Sequence, residues 1–496
     1  MKQKLQRSIL IFICGAILWF GSCSHGEAAE RLPSNSRYIL GRLGFGVTTQ
    51  QMEQVNQQGI EAYLQAQLNP QTVTESPILN QYLAEFEAEQ QTPFELQQEI
   101  ATNNQKIRSL PGSSIDRKEQ LQRKITQLKN GTRNSAVEAH LARAIYSHRQ
   151  LQEVMVDFWF NHFNVFANKG DNQFWIADYE NQIRDHALGN FRDLLGVTAS
   201  HPAMLIYLDN EVNTDPKSSQ AKGKFKGLNE NYARELMELH TLSVNGGYSQ
   251  DDIITLAKIF TGWTVDRKGK RGNELGFYFN NQRHDSTPKV FLGQTITAKG
   301  KQEGEQALDI LAANPATAHF ISYKLVQYFV ADNPPASLVD TLAQQFLATK
   351  GDIKAVMNTL IHSPEFNSPE HQQKFTTPYQ YLVSLVRMAE IEQPELKRVQ
   401  GMLTQLSMPV YGCSAPTGYR NTKDAWLNPE AMLERIAMAT AIANNRLNPE
   451  SSVEYSLLIN NLRELSPQTQ EAITSNASKS ILQKALVLAS PEAMYR

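Results

Sequence analysis

Cysteine is nearly absent: three in 496 residues, Cys14, Cys23 and Cys413. Cys413 stands alone in the body of the chain, so no internal disulfide is expected there and stability has to come from core size. Charge of one sign is also missing. Lys plus Arg number 48 against 50 Asp plus Glu, a formal net charge of -2, which leaves no basic excess to draw nucleic acid or anionic lipid. No apolar run beyond the amino terminus is long enough to span a bilayer, so no transmembrane domain is expected in the mature chain. The nucleophile elbow, the His-Glu-x-x-His run and the phosphate-cradling glycine loop are all absent.

What is present begins with an address. Lys2, Lys4 and Arg7 precede an apolar run from Ile9 to about Phe20, and small and polar residues follow to Ala29. This is the layout of a secretory signal over 1–29. Three routes stay open: a cut at Ala28 or Ala29, a lipoprotein leader with Cys23 as the lipidated residue, or an uncleaved membrane anchor, which the short apolar run disfavours. The expected location is the periplasm or the cell surface and beyond, free or lipid-anchored. Hydrophobic content of 41% supports a real core for the remainder.

Apolar spacings of three and four run through most of the chain. The fold class expected is mainly α, a large multi-helix domain over 30–450 with a small β-hairpin insertion, followed by a polar helical tail over 451–496. Two insertions stand out. Residues 92–130 read as a charged helical hairpin, opened by Thr92-Pro93, broken at Leu110–Ser114 and closed by Asn130-Gly131. Residues 276–296 read as a β-hairpin pairing Phe277–Phe279 with Val290–Leu292.

Helical wheels place the candidate chemistry, since each residue advances by about 100°. His162, His186 and His240 each fall on the apolar side of their own helix. Asn229 lies on the same face as His240, three turns away. Glu235 is about 140° from His240, so this is no di-iron Glu-His pair. Glu230, Arg234 and Glu238 form a surface ladder at i, i+4. His201 precedes Pro202 at a helix mouth, and His284-Asp285 sits in a loop. A buried imidazole needs partners for both ring nitrogens. Either each histidine is an isolated, satisfied core residue, or they converge on a pocket for acid-base work or a divalent transition metal.

Several stretches then resemble a known family. They are Arg42-Leu43-Gly44-Phe45-Gly46, the run Phe158 to Phe163, His201 to Leu205 with Tyr207 to Asn210, and the long motif Gly227 to Thr241. Thr261-Gly262-Trp263-Thr264, His284-Asp285, and Pro416-Thr417-Gly418-Tyr419 with Trp426 complete the set. The chain resembles the bacterial domain of unknown function 1800, with Ser243 standing where glycine is expected. The resemblance implies an exported helical protein, often encoded beside a sulfatase-like one, and brings no established activity or catalytic residue. Two functions follow as expectations: a cell-envelope enzyme with a histidine-lined pocket, or a non-catalytic scaffold for the separately encoded partner. A weaker third is glycan binding near Trp263.

Overall fold

The computed structural model describes residues 35–86, 92–371 and 373–496. The leader, with Cys23 and both cleavage candidates, lies outside the described residues. No helix among those described is long and apolar enough to cross a membrane.

Helix follows helix from Asn35–Leu43 to Pro491–Met494, with four short strands as the only β structure described. Two helices form the centre. Gln150–His162 buries ten of its thirteen residues, and Pro378–Met388 buries all eleven. Around them one continuous apolar core gathers side chains from Ile39 to Met494. The tail belongs to that core: Leu482, Ala485, Leu486, Val487 and Leu488 are buried, and their helix packs against Pro429–Ala443. The tail buries polar residues as well, Asn461, Thr469, Ser490 and Arg496 among them.

The expected helical hairpin is present, with one correction. Pro93–Ser109 opens with a capping box in which Thr92 and Glu95 satisfy each other's backbone N–H groups. The return helix does not stop at Asn130-Gly131 but runs unbroken from Ile115 to Tyr146. Its second half buries Ala136, Val137, His140, Leu141 and Ala144. That burial outweighs the roughly 1 kcal/mol that a mid-helix glycine costs.

The strands pair differently from expectation. β1 (Trp263–Val265) pairs antiparallel with β2 (Phe277–Phe279), Trp263 opposite Phe279. β3 (Val290–Phe291) turns through Leu292-Gly293 onto β4 (Gln294–Thr295). A hairpin therefore lies within 276–296, while Phe277–Phe279 finds its partner upstream. Trp263 is completely buried between Phe260 and Phe277, which leaves no groove there for a glycan.

The long motif also departs from one straight helix. Asn231–Glu235 is α-helical, and Leu236–His240 is a π turn. The helix stops there, and Ser243 follows at φ +70°. That left-handed conformation is the reason glycine suits the position. The expected ladder holds: Arg234 reaches Glu230 and Glu238, each at 3.3 Å.

Candidate functional site

Only two of the expected histidines meet. The π turn delivers His240, 1% exposed, onto Phe163 with ring centres 5.2 Å apart. Its ring lies 6.1 Å from that of His162. His162 Nε2 sits 3.1 Å from the carbonyl oxygen of His240. A carbonyl only accepts, so His162 donates from Nε2. Phe158, Trp159 and Phe320 complete an aromatic cage around His162. Burial pushes the His240 pKa down to about 3. Burial, then the His240 and Lys324 charges, drives that of His162 well below the ordinary value. Both rings are neutral at physiological pH, and His240 Nε2 has no partner.

The remaining candidates are placed apart. His186, half-buried at its helix end, directs Nδ1 to Gln182 O at 2.8 Å. His201 caps the helix Pro202–Tyr207, accepting from Ala203 N–H through Nδ1 and meeting Asp178 through Nε2 at 2.9 Å. His284 bridges Thr261 O (2.9 Å) and Glu303 (3.1 Å), while Lys289 holds the other Glu303 oxygen at 2.8 Å. Asp285 accepts from the backbone and hydroxyl of Thr287. Asn229 is occupied by the Asp209 carbonyl and the Asn231 N–H. Among the described residues, no three His, Cys, Asp or Glu side chains are grouped to hold a metal. The convergence considered for His162, His186, His240, His284 and Asp285 thus reduces to one pair. A wheel gives the face of each helix, but not which faces meet.

Two other constellations escaped the sequence reading. The first is a buried ionic network. Arg184 grips Glu153 with two bonds (2.9 and 3.0 Å) and Glu180 with one (2.5 Å). Glu180 also receives the Tyr411 hydroxyl (2.5 Å) and faces His140 Nδ1 (2.7 Å). Burial alone would raise the Glu180 carboxyl; His140, Arg184 and Arg143 overcome it and hold it well below the carboxylate range. One turn beyond Glu153, burial raises the Asp157 carboxyl, which accepts from the Tyr328 hydroxyl at 2.7 Å. The signal was there: Glu153 and Asp157, at i, i+4, are the only carboxylates of a helix that buries ten of its thirteen residues.

The second is a cavity of about 710 Å³. Its walls are the helix Asn35–Leu43, the turn Gly44–Val47, the helix Pro378–Met388 and the chain from Tyr455 to Arg496. The Arg-Leu-Gly-Phe-Gly stretch shapes it. Gly46 has φ +83°, and a Cβ there would stand 3.0 Å from that of Ser384. Arg42 is fully buried beneath, donating to His371 O at 2.7 Å; burial first, then the Arg496 and Arg463 charges, push its pKa down to about 9 against the opposing pull of Tyr38. Arg496, 7% exposed, donates from Nη2 to Tyr328 O (2.9 Å) and lies 4.6 Å over the Tyr328 ring. Its Nε and Nη1 are buried without partners.

Most of the shared motif residues serve architecture. Asn161 clasps Tyr419 in both directions, Nδ2 to the carbonyl (2.9 Å) and Oδ1 from the N–H (2.7 Å). Gly418 passes so close that a Cβ would lie 2.3 Å from Asn161 O. Asn164 holds the carbonyls of Cys413 and Ala415. The runs around 160 and 416 are thus one latch.

No curated protein and no solved structure matches the chain. A family model, described as a protein of unknown function (DUF1800), matches residues 38–495 and so takes in the histidine pair, the latch and the cavity lining from Tyr38 to Tyr495, but not Arg37 or Arg496. The chain belongs to the DUF1800 family.

Proposed function

We propose that this protein is exported to the cell envelope and works there on a small molecule held in the cavity under the Arg42–Gly46 turn. One observation carries the reading. The cavity, about 710 Å³, is the size of a small-molecule site and is walled by a motif whose glycine geometry keeps it open. The histidine-lined metal pocket has less support: each candidate histidine but His240 already has a hydrogen-bond partner, and the His240 ring packs against Phe163 and His162.

The test has two parts. A thermal-shift screen of small molecules on the full chain should yield ligands whose effect vanishes in Ala493→Phe, which fills the cavity. Elemental analysis should find no stoichiometric metal; a metal lost on His162→Ala or His240→Ala would return the site to the histidines. The mass of the mature amino terminus tests export. Cleavage before lipidated Cys23 gives a tethered protein, cleavage at Ala28 or Ala29 a free one, and an unprocessed leader on protein recovered from the cytosolic fraction sinks the envelope assignment.

A further inference from the structure

Resting on the cavity reading, we propose that the cavity is an oxyanion site, taking a small molecule with a carboxylate, phosphate or sulfate head and an uncharged remainder. Arg37, Arg463 and Arg496 line it, and Arg42 lies buried behind. Two carboxylates, Glu464 and Glu492, share the lining; Glu492 accepts from Ser466 N–H (2.9 Å) and the Thr469 hydroxyl (3.1 Å) and its charge acts on Arg463, so the arginines remain in excess. Arg42 and Arg496 form no ion pair among the described residues. The contrast with neighbouring Lys374 is direct, since its ammonium is matched by Asp332.

The geometry fits a head group in particular. A guanidinium presents donors in a planar fork that suits two oxygens of one oxyanion. Arg496 lines the cavity and is held by its ring stacking and by one bond to Tyr328 O. Crowded like charges are costly, and an anion in the cavity relieves them. Beside the arginines, Val47, Ile459 and Leu462 offer an apolar wall for the rest of the molecule.

The experiment melts the full chain in sodium phosphate and in sodium sulfate against sodium chloride at matched ionic strength, with calorimetry on the same series. The expected result is a saturable rise in melting temperature, about 2 °C or more, with phosphate or sulfate and not with chloride. Arg496→Gln should abolish it. Because Arg496 also stacks on Tyr328, the exposed Arg37→Gln is the second variant; it should fold normally and bind about threefold to tenfold more weakly. Vesicles of phosphatidylglycerol against phosphatidylcholine separate the sources. Arginine-dependent vesicle binding means a lipid head, and its absence with free-anion binding means a soluble ligand. A rise that does not saturate, or is equal in both variants, is general salting and overturns the proposal. Neutral ligands that bind and are lost in Ala493→Phe would overturn the oxyanion inference and leave the cavity reading intact. Loss of no ligand in Ala493→Phe would remove both.

Discussion

Glu180 and Arg496 are both almost wholly buried and both charged, yet their surroundings differ in kind. Around Glu180 the Tyr411 hydroxyl, the Arg184 guanidinium and the His140 ring all converge on one carboxylate. Around Arg496 two donors are buried without a partner, in a residue that lines the cavity. The first arrangement completes itself and locks three helices together. The second is incomplete without something that the described chain does not supply. Buried charge by itself therefore does not mark a site; buried charge lacking partners beside open volume does. The His162–His240 pair falls between the two, partly satisfied and dry.

The comparison can be broken most forcefully at the network. Arg184→Met strands Glu153 and Glu180 in the interior and should cost about 3–5 kcal/mol in urea unfolding. A loss under 1 kcal/mol would mean that the network is ornamental to stability. Acid separates the histidine pair from the network. Below pH 6.5 the unfolded chain protonates both rings, while the folded chain keeps them neutral, His240 down to about 3. Unfolding then takes up protons, so stability falls as pH drops, by about 2 kcal/mol per ring at pH 5. Glu180, whose folded carboxyl is depressed, keeps its full contribution above the ordinary carboxylate pKa and loses it only below. The window between pH 6.5 and 4.5 thus reads the histidine pair apart from Glu180, with the buried, raised Asp157 carboxyl acting in the opposite sense. His240→Phe should halve the slope in stability-versus-pH curves; an unchanged slope would show that the ring is not neutral in the fold.

Smaller effects sharpen the cavity side. Gly46→Ala must adopt φ +83° and press on Ser384, which should cost about 1–3 kcal/mol in thermal melts. Tolerance of the alanine would mean that the turn is not rigid. Arg37→Gln, exposed and without a buried contact, should change stability by less than about 0.5 kcal/mol while weakening oxyanion binding. A matching loss of stability would recast Arg37 as structural.

Much of this architecture could be read locally. The Thr92-Pro93 start, the Arg234 ladder and the burial of His162 and His240 follow from caps and a period near 3.6, which need only neighbouring residues. Asn130-Gly131 misled because a turn signal is weak beside a buried second half-helix. Phe277–Phe279 misled because strand character says nothing about the partner, and Trp263–Val265 supplies it. Glu153 and Asp157 were visible as polar residues, but a wheel cannot show that Arg184 and Tyr328 wait on the other side.

By itself, then, the sequence determined the helical class, the family and the buried faces, because each depends on short-range spacing or on motif identity. Only the tertiary structure decided that His162 meets His240 while His186, His201 and His284 go elsewhere. It alone brought Arg42, Arg463 and Arg496 to one place from positions more than four hundred residues apart. The reason is physical. Periodicity sets the direction in which a side chain points from its own helix, and the packing of all the helices together sets what it finds there.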